Sequence, residues 1–348
     1  MRRKPLFIFI LFLLLASCQS ETPVPATAPP PDSPVARYGQ LKVAEGKICD
    51  EGGRPVALRG MSTMGLQWDG GIVNEAAFRA LEGDWKCDVV RLALYVGEGG
   101  YAKRPELTRL VKKGVELAIE NGLYVIVDWH VLNPGNPNAP VYSGAESFFR
   151  RMAGAYGRTP NIMYEIMNEP NGAVKWERDL KPYAVKMTAA IRSLDPDNLI
   201  LIGSGSWSQD VDVAAADPVP GKNLVYTVHF YAGSHGPSLR KKIQAALDLG
   251  AAVYCSEWGT SRADGNGGPF LEMADIWLDF LAERNIGWTN WSLSVKNETS
   301  ATFQGRPEST LVPSTEGPDG YPVWTPEQLS KSGAYVRAKL RGETPQYE

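Results

Sequence analysis

Histidine and cysteine are scarce in this chain of 348 residues, with 3 and 4 copies, and neither falls in a metal-binding spacing. There is no CxxC pair and no HExxH motif, which argues against a structural zinc site and against zinc-protease chemistry. Excess positive charge is lacking too. Lys and Arg number 36 against 39 Asp and Glu, a net charge of -3, so no basic field exists to hold nucleic acid. The hydrophobic fraction of 43% is that of a globular protein rather than a disordered or multi-span membrane chain. At this length, one large domain or two small ones can bury a sizeable core.

What is present begins with an export signature. Arg2, Arg3 and Lys4 precede an unbroken apolar run from Leu6 to Leu15, and Ala16, Ser17 and Cys18 follow directly. The run is too short to span a bilayer as a helix. A Cys after small residues resembles the bacterial lipobox, which makes residues 1–17 the signal peptide and Cys18 the lipidated N-terminus. Prolines 23, 25, 29, 30, 31 and 34 then punctuate a stretch too poor in apolar residues to fold alone. Residues 18–36 are therefore expected to form an extended, semi-rigid linker, with residues 37–348 as the folded domain. These features predict an exported protein, lipid-anchored at a bacterial membrane or cell surface, and Gln19 is compatible with onward transport to an outer membrane where the host has one. Of the remaining cysteines, Cys49, Cys87 and Cys255, the last two adjoin strand-like runs and read as small buried hydrophobes rather than half-cystines.

Beyond the linker, eight short apolar runs alternate with longer segments of helical period. The runs are Val56–Gly60, Val89–Leu94, Leu123–Asp128, Ile162–Ile166, Leu199–Ile202, Val225–Phe230, Ala251–Ser256 and Ile286–Trp291. Helical patterns cover Pro105–Asn121, closed by Gly122, then Trp176–Leu194, Ser238–Leu249 and Phe270–Arg284. This alternation predicts an α/β fold, a closed (β/α)8 TIM barrel in a single domain, with a doubly wound open sheet as the alternative. Several runs end in polar groups that no strand core would choose: Asp128-Trp129-His130, Asn168-Glu169-Pro170, His229-Phe230-Tyr231, Ser256-Glu257-Trp258-Gly259 and Asn290-Trp291. In such a barrel the C-terminal strand ends converge on one face, so these clusters become one site.

That site holds two carboxylates, Glu169 and Glu257. A carboxyl pair is the equipment of acetal hydrolysis: one acid protonates the leaving oxygen, and the other attacks the anomeric carbon or activates water. Either Glu alone would read as a solvated loop carboxylate or an arginine partner. Two of them at different strand ends, beside amide and aromatic groups, point to catalysis.

The segments Ile162-Met163-Tyr164-Glu165-Ile166-Met167-Asn168-Glu169-Pro170 and Cys255-Ser256-Glu257-Trp258-Gly259 resemble the acid/base and nucleophile motifs of glycoside hydrolase family 5, in particular its bacterial endo-β-1,4-glucanases (cellulases). The likeness runs from about Tyr38 to about Arg341, through Gly65-Leu66-Gln67-Trp68, Trp207-Ser208-Gln209-Asp210-Val211, His229-Phe230-Tyr231-Ala232-Gly233 and Trp288-Thr289-Asn290-Trp291-Ser292-Leu293. It implies a (β/α)8 barrel and a retaining mechanism, with Glu169 as acid/base and Glu257 as nucleophile. It also implies that Arg91 keeps Glu257 ionised, that Tyr231 and His229 flank the carboxylates, that Asn168 meets the sugar 2-hydroxyl, and that His130 completes the polar wall.

Sugar rings also need flat apolar faces. By the same resemblance Trp291 is the platform beneath the cleaved sugar, and Trp68 and Trp207 are platforms to either side. Lys296 and Glu298 resemble residues that hydrogen-bond sugars further out. Trp85 and Trp277 sit on helical faces and read as core. One departure stands out: Met64 occupies a position where close relatives usually carry His. The expected activity is that of a retaining endo-β-1,4-glucanase on cellulose or mixed-linkage β-glucan, acting as a monomer without metal or cofactor and touching the membrane only through its lipid. The alternatives are a related β-1,4-glycanase, such as a xyloglucanase or mannanase, and a non-catalytic surface glycan-binding barrel.

Overall fold

Seven of the eight apolar runs become parallel strands almost where the sequence places them, and the eighth shifts for an identifiable reason. In the computed structural model, which describes residues 23–25 and 27–345, an antiparallel hairpin comes first, β1 (Lys42–Ala44) with β2 (Lys47–Cys49). The barrel strands are β3 (Arg59–Thr63), β4 (Val89–Tyr95), β5 (Tyr124–His130), β6 (Ile162–Glu165), β7 (Ile200–Ile202), β8 (Leu224–Tyr231), β9 (Val253–Gly259) and β10 (Trp288–Leu293). They pair in parallel in chain order, and β10 returns to β3 to close the ring. The closed ring excludes the open sheet.

The first run was expected at Val56–Gly60, but β3 begins three residues later. Val56 instead bonds back to the hairpin through Ile48 O, at 2.9 Å. Val56 and Leu58 pack with Leu41 and Ile48 into an apolar plug under the barrel. The apolar residues of that run thus serve the floor, and the less apolar Gly60-Met61-Ser62-Thr63 forms most of the strand.

Helices Leu107–Glu120, Lys181–Arg192 and Leu271–Glu283 fall inside the predicted patterns, Pro237–Asp248 begins one residue before its own, and Glu75–Gly83 and Ala145–Tyr156 complete more of the outer layer. Strand residues alternate between two cores. Val90, Leu92, Val125, Val127, Tyr164, Val228 and Phe230 face the helices, while Val89, Tyr124, Ile126, Met163, Leu201, Val225 and Tyr254 fill the lower barrel above the plug. Trp85 and Trp277 are fully buried in the outer core, as the sequence suggested. Cys49, Cys87 and Cys255 are buried free thiols, and burial holds Cys87 and Cys255 well above the usual thiol range.

Part of the expected linker is folded. Ser33 caps a short helix, Pro34–Tyr38, and Val35 N–H donates to Gly122 O at 2.9 Å. Val24 N–H donates to Ala155 O at 2.8 Å, and its side chain packs on the outer core. Two valines among the prolines find apolar ground near the C-terminal ends of two outer helices. The boundary expected at residue 37 therefore moves toward Val24. The signal peptide and Cys18 lie outside the described residues. No helix among the described residues is long and apolar enough to cross a membrane.

Candidate active site

Climbing the barrel axis, the inward residues change character within one turn of alternation. Above Val89 on β4 comes Arg91; above Ile126 on β5 come Asp128 and His130; above Met163 on β6 comes Glu165; above Val225 on β8 come His229 and Tyr231. On β9 the alternation breaks. Thr227 pairs with Tyr254 but His229 pairs with Glu257, so β9 carries one residue more than its neighbour, and its register with β10 shifts likewise. This bulge lets the consecutive residues Ser256 and Glu257 both turn into the barrel, which regular pleating forbids.

Arg91 is the centre of the charged layer and is fully buried. Its Nε donates to Glu165 Oε2 at 2.6 Å and its Nη1 to Glu257 Oε2 at 3.2 Å and to Ser62 Oγ at 3.2 Å. Its Nη2 donates to Asn168 Oδ1 at 2.6 Å and lies 3.0 Å from Asp128 Oδ2. Burial works against the guanidinium, but Asp128, Glu165 and Glu257 outweigh it and raise its pKa. Glu257 also accepts from the Tyr231 hydroxyl at 2.6 Å. Burial, then Glu257 itself, push Tyr231 well above the usual phenol range, so it stays a donor.

The amide of Asn168 sets the state of its neighbour. Because Asn168 Oδ1 faces Arg91, its Nδ2 faces His130 Nε2 at 3.1 Å, which must accept. The His130 proton therefore sits on Nδ1, which donates to Asp128 Oδ2 at 2.6 Å. Burial, then Arg91, push His130 down to about 3, so the ring is neutral. Burial pushes Asp128 well above the usual carboxylate range, with Arg91 pulling the other way. On the opposite flank, Glu169 Oε1 lies 2.9 Å from His229 Nδ1, and its backbone N–H is tied to Val131 O at 3.0 Å.

Above this layer lies an open cleft of about 620 Å³, lined by Glu169, His229, Tyr231, Glu257, Trp291, Trp207, Lys296 and Glu298 among others. One oxygen of Glu169, one of Glu257 and a nitrogen of His229 lie within 4.8 Å of one another. Within that triad His229 Nδ1 and Glu169 Oε1 are already bonded to each other. Trp207 is 48% exposed and stands on three consecutive residues with positive φ, Ser206, Trp207 and Ser208. Such residues cost roughly 1 kcal/mol or more each, and the turn is held by Trp207 N–H to Pro170 O and Ser208 Oγ to Asn168 O. The strain fixes an aromatic face beside the Glu169 loop.

Three comparisons bear on this geometry. Residues 49–297 match the family model described as cellulase (glycosyl hydrolase family 5). The chain belongs to glycosyl hydrolase family 5. It is 46% identical over 321 residues to a protein named endoglucanase N from Pectobacterium atrosepticum, covering 90% of this chain and 69% of that one. A second curated relative, endoglucanase 5 of Pectobacterium carotovorum, is spanned over 61% of its length at the same identity. Among solved structures, a family 5 cellulase from an Icelandic hot spring isolate superposes with a TM-score of 0.85 at 44% identity, covering 90% of this chain and 98% of that one. The catalytic domain of Thermobifida fusca endoglucanase Cel5A in complex with cellotetraose gives 0.81 at 38%, covering 89% and 99%.

In this family 5 hydrolase the predicted residues gather, with differences of depth. Glu169, Glu257, His229, Tyr231, Trp291, Trp207, Lys296 and Glu298 line the cleft, as do His130 and Met64. Arg91 and Asn168 lie beneath it, and both ends of the Asn168 amide are taken by Arg91, His130 and Val131 O. Trp68 is 48% exposed and joins the site edge-on through Tyr95, 4.9 Å between ring centres. Lys296 Nζ and Glu298 Oε2 pair at 2.6 Å. Met64 packs with Ala93, Tyr95, Tyr231 and Trp291.

Sequence reasoning passed over Tyr95, which stacks on His130 at 3.8 Å, and gave no role to Asp128, Glu165 or Ser256. A charged residue inside an apolar strand run was the available signal for Glu165. Tyr95, at the end of an apolar run, carried none.

Proposed function

We propose that this family 5 hydrolase is a retaining endo-β-1,4-glucanase acting on cellulose or mixed-linkage β-glucan. The observation that carries the reading is the spacing of the carboxyl groups. An oxygen of Glu169 lies within 4.8 Å of one of Glu257, close to the roughly 5–5.5 Å of a nucleophilic pair and short of the roughly 6.5–9.5 Å that leaves room for a water. Glu257, anchored by Arg91 and Tyr231, attacks the anomeric carbon while Glu169 gives its proton to the leaving oxygen. Water then breaks the glycosyl ester, with Glu169 taking the proton of that water. Trp291, Trp207 and Trp68 supply flat faces along the cleft for successive pyranose rings. The relatives named endoglucanase and the T. fusca complex with cellotetraose support the glucan assignment.

Proton NMR of the first-formed hemiacetal from a soluble β-glucan tests the mechanism. The β-anomer is expected first, and an α-anomer would remove Glu257 from the nucleophile role. Product profiles on carboxymethylcellulose, barley glucan, xyloglucan and mannan test the substrate. Mannan or xyloglucan as the single good substrate would transfer the assignment to that glycanase. A wild type that binds cello-oligosaccharide without turnover would leave a binding barrel, against which stands the complete set of Glu169, Glu257, Arg91 and Tyr231.

We further propose that Cys18 is acylated and that the enzyme is exported and held at a bacterial membrane surface. The docked segment supports a geometry for this. Val24 and Val35 bind near the C-terminal ends of outer helices, the face opposite the cleft, so a tether reaching Cys18 leaves the domain away from the substrate. Membrane fractionation of Cys18→Ala decides: release into the soluble fraction is expected, and retention would refute the anchor.

A further inference from the structure

Glu165 has no place in the two-carboxylate scheme, yet it is fully buried on the barrel axis, four residues before Glu169. Its Oε2 accepts from Arg91 Nε at 2.6 Å, and its Oε1 accepts from Ser256 Oγ at 2.6 Å. Ser256 Oγ lies 2.9 Å from His229 Nε2, and His229 Nδ1 lies 2.9 Å from Glu169 Oε1. The direct approach of His229 Nε2 to Glu165 is 3.7 Å, too long for a hydrogen bond. The serine hydroxyl is therefore the bridge, and it is in place because the β9 bulge turns Ser256 inward beside Glu257.

Proton counting along this chain leaves little freedom. A carboxylate only accepts, and a serine hydroxyl has one proton to give. Ser256 gives it to Glu165 and so must accept from His229 Nε2, which carries hydrogen whatever the charge of the ring. One further proton is left for the facing atoms His229 Nδ1 and Glu169 Oε1. Without it, two acceptors would confront each other at 2.9 Å.

We propose that Glu165 and Ser256 are positioning residues of this hydrolase, a buried relay that fixes His229 as the Nε2–H form and holds the shared His229–Glu169 proton to higher pH. This rests on the reading of Glu169 as acid/base. The charged and titratable groups facing His229 are Glu165 and Glu169 from β6 and its loop, Glu257 from β9, Arg91 from β4, Asp128 and His130 from β5, and Tyr231 and His235 beyond it on its own chain segment. Burial works against the imidazolium, but the nearby Glu165 and Glu169 carboxylates, then Glu257, outweigh it and raise His229 above the ordinary imidazole range. Burial likewise works against the Glu165 anion, and Arg91 with His229 overcomes it and holds Glu165 at about 2. A fixed anion behind a proton-binding pair raises that pair's affinity for its proton, so removing the anion must lower the pH at which the proton is lost.

The test is the pH dependence of kcat on soluble β-glucan, together with ¹⁵N NMR of the imidazoles, which number only three. Glu165→Gln should move the alkaline limb down by about one pH unit, a tenfold change in proton affinity, with KM little changed. Ser256→Ala should move it the same way by less, and Ser256→Thr, which keeps the hydroxyl, should restore it. In the wild type, His229 Nε2 should show a bonded proton across the whole profile. An unchanged alkaline limb in both Glu165→Gln and Ser256→Ala, or a wild-type His229 without a proton on Nε2, overturns the relay. If Glu165→Gln does not fold, Ser256→Ala and the wild-type spectrum decide alone. Failure of the underlying reading looks different: Glu169→Gln would then keep wild-type turnover at every pH.

Discussion

The lower and upper halves of the barrel are built by the same strands at alternating inward positions, yet they use opposite chemistry. Below, Val89, Tyr124, Ile126, Met163, Leu201, Val225 and Tyr254 meet the plug of Leu41, Ile48, Val56 and Leu58. Above, two to four residues further along, stand Arg91, Asp128, His130, Glu165, His229 and Glu257, all with less than 5% exposure. Apolar burial stabilises by roughly 25 cal/mol per Å² and asks only for volume and shape. A buried charge stabilises nothing until every partner is in place. The floor therefore supplies the rigidity that the upper layer needs to hold unfavourably buried groups in one arrangement.

The largest expected effect belongs to the upper half and is purely chemical. Glu257→Gln keeps the side-chain volume but removes the carboxylate proposed as nucleophile, so kcat should fall on the order of 10⁴–10⁶-fold. Thermal unfolding should move by no more than a few degrees. A variant with a tenth of wild-type activity or more would mean that Glu257 is not the attacking group.

A matched pair of substitutions sharpens the contrast between halves. Arg91→Met leaves Glu165, Glu257 and Asp128 without their shared cation, and breaking buried ion pairs in this way costs about 3–5 kcal/mol. Turnover should vanish with it. Ile126→Ala, one inward step below Asp128 on β5 and beside Arg91 in register, opens a cavity worth about 2–5 kcal/mol, but kcat per folded molecule should stay within about twofold of wild type. Urea unfolding alongside kcat measures both. If Ile126→Ala loses activity as steeply as stability, the floor does more than hold the site rigid.

The same contrast explains what the sequence made legible. Apolar runs broken by polar residues mark strands and the polar groups at their ends, so seven strands and the two carboxyls that meet in the cleft, Glu169 and Glu257, could be read directly. Runs fail where an apolar residue serves another surface. Val56 and Leu58 looked like strand and are plug, and Val24 and Val35 sat unremarked among prolines while anchoring the segment to the barrel. The bulge in β9 is invisible in one strand because it exists only as a register difference against β8 and β10. Hence Ser256 looked like a neighbour of the nucleophile rather than a group inside the barrel. Three left-handed residues at 206–208 are equally hidden, since two serines and a tryptophan do not advertise positive φ.

The smallest expected effect lies beyond the floor, where Val24 and residues 33–38 dock. Ser33 is buried, and its Oγ accepts from Ala36 N–H at 3.4 Å as the cap of the helix Pro34–Tyr38. Gly122, at φ 64°, leaves space for it: a Cβ there would stand 2.1 Å from Ser33 Oγ. Loss of a serine cap costs about 1 kcal/mol, which for a domain of this size lowers Tm by roughly 2 °C. Ser33→Ala should therefore show that small drop and unchanged kcat and KM, because the segment lies on the side of the barrel away from the cleft. A Tm within experimental error of wild type would mean that the helix contributes nothing to the fold, and the tether would then begin nearer residue 37. A change in kcat would mean that the two ends of the barrel are coupled, which the separation of the apolar floor from the charged layer argues against.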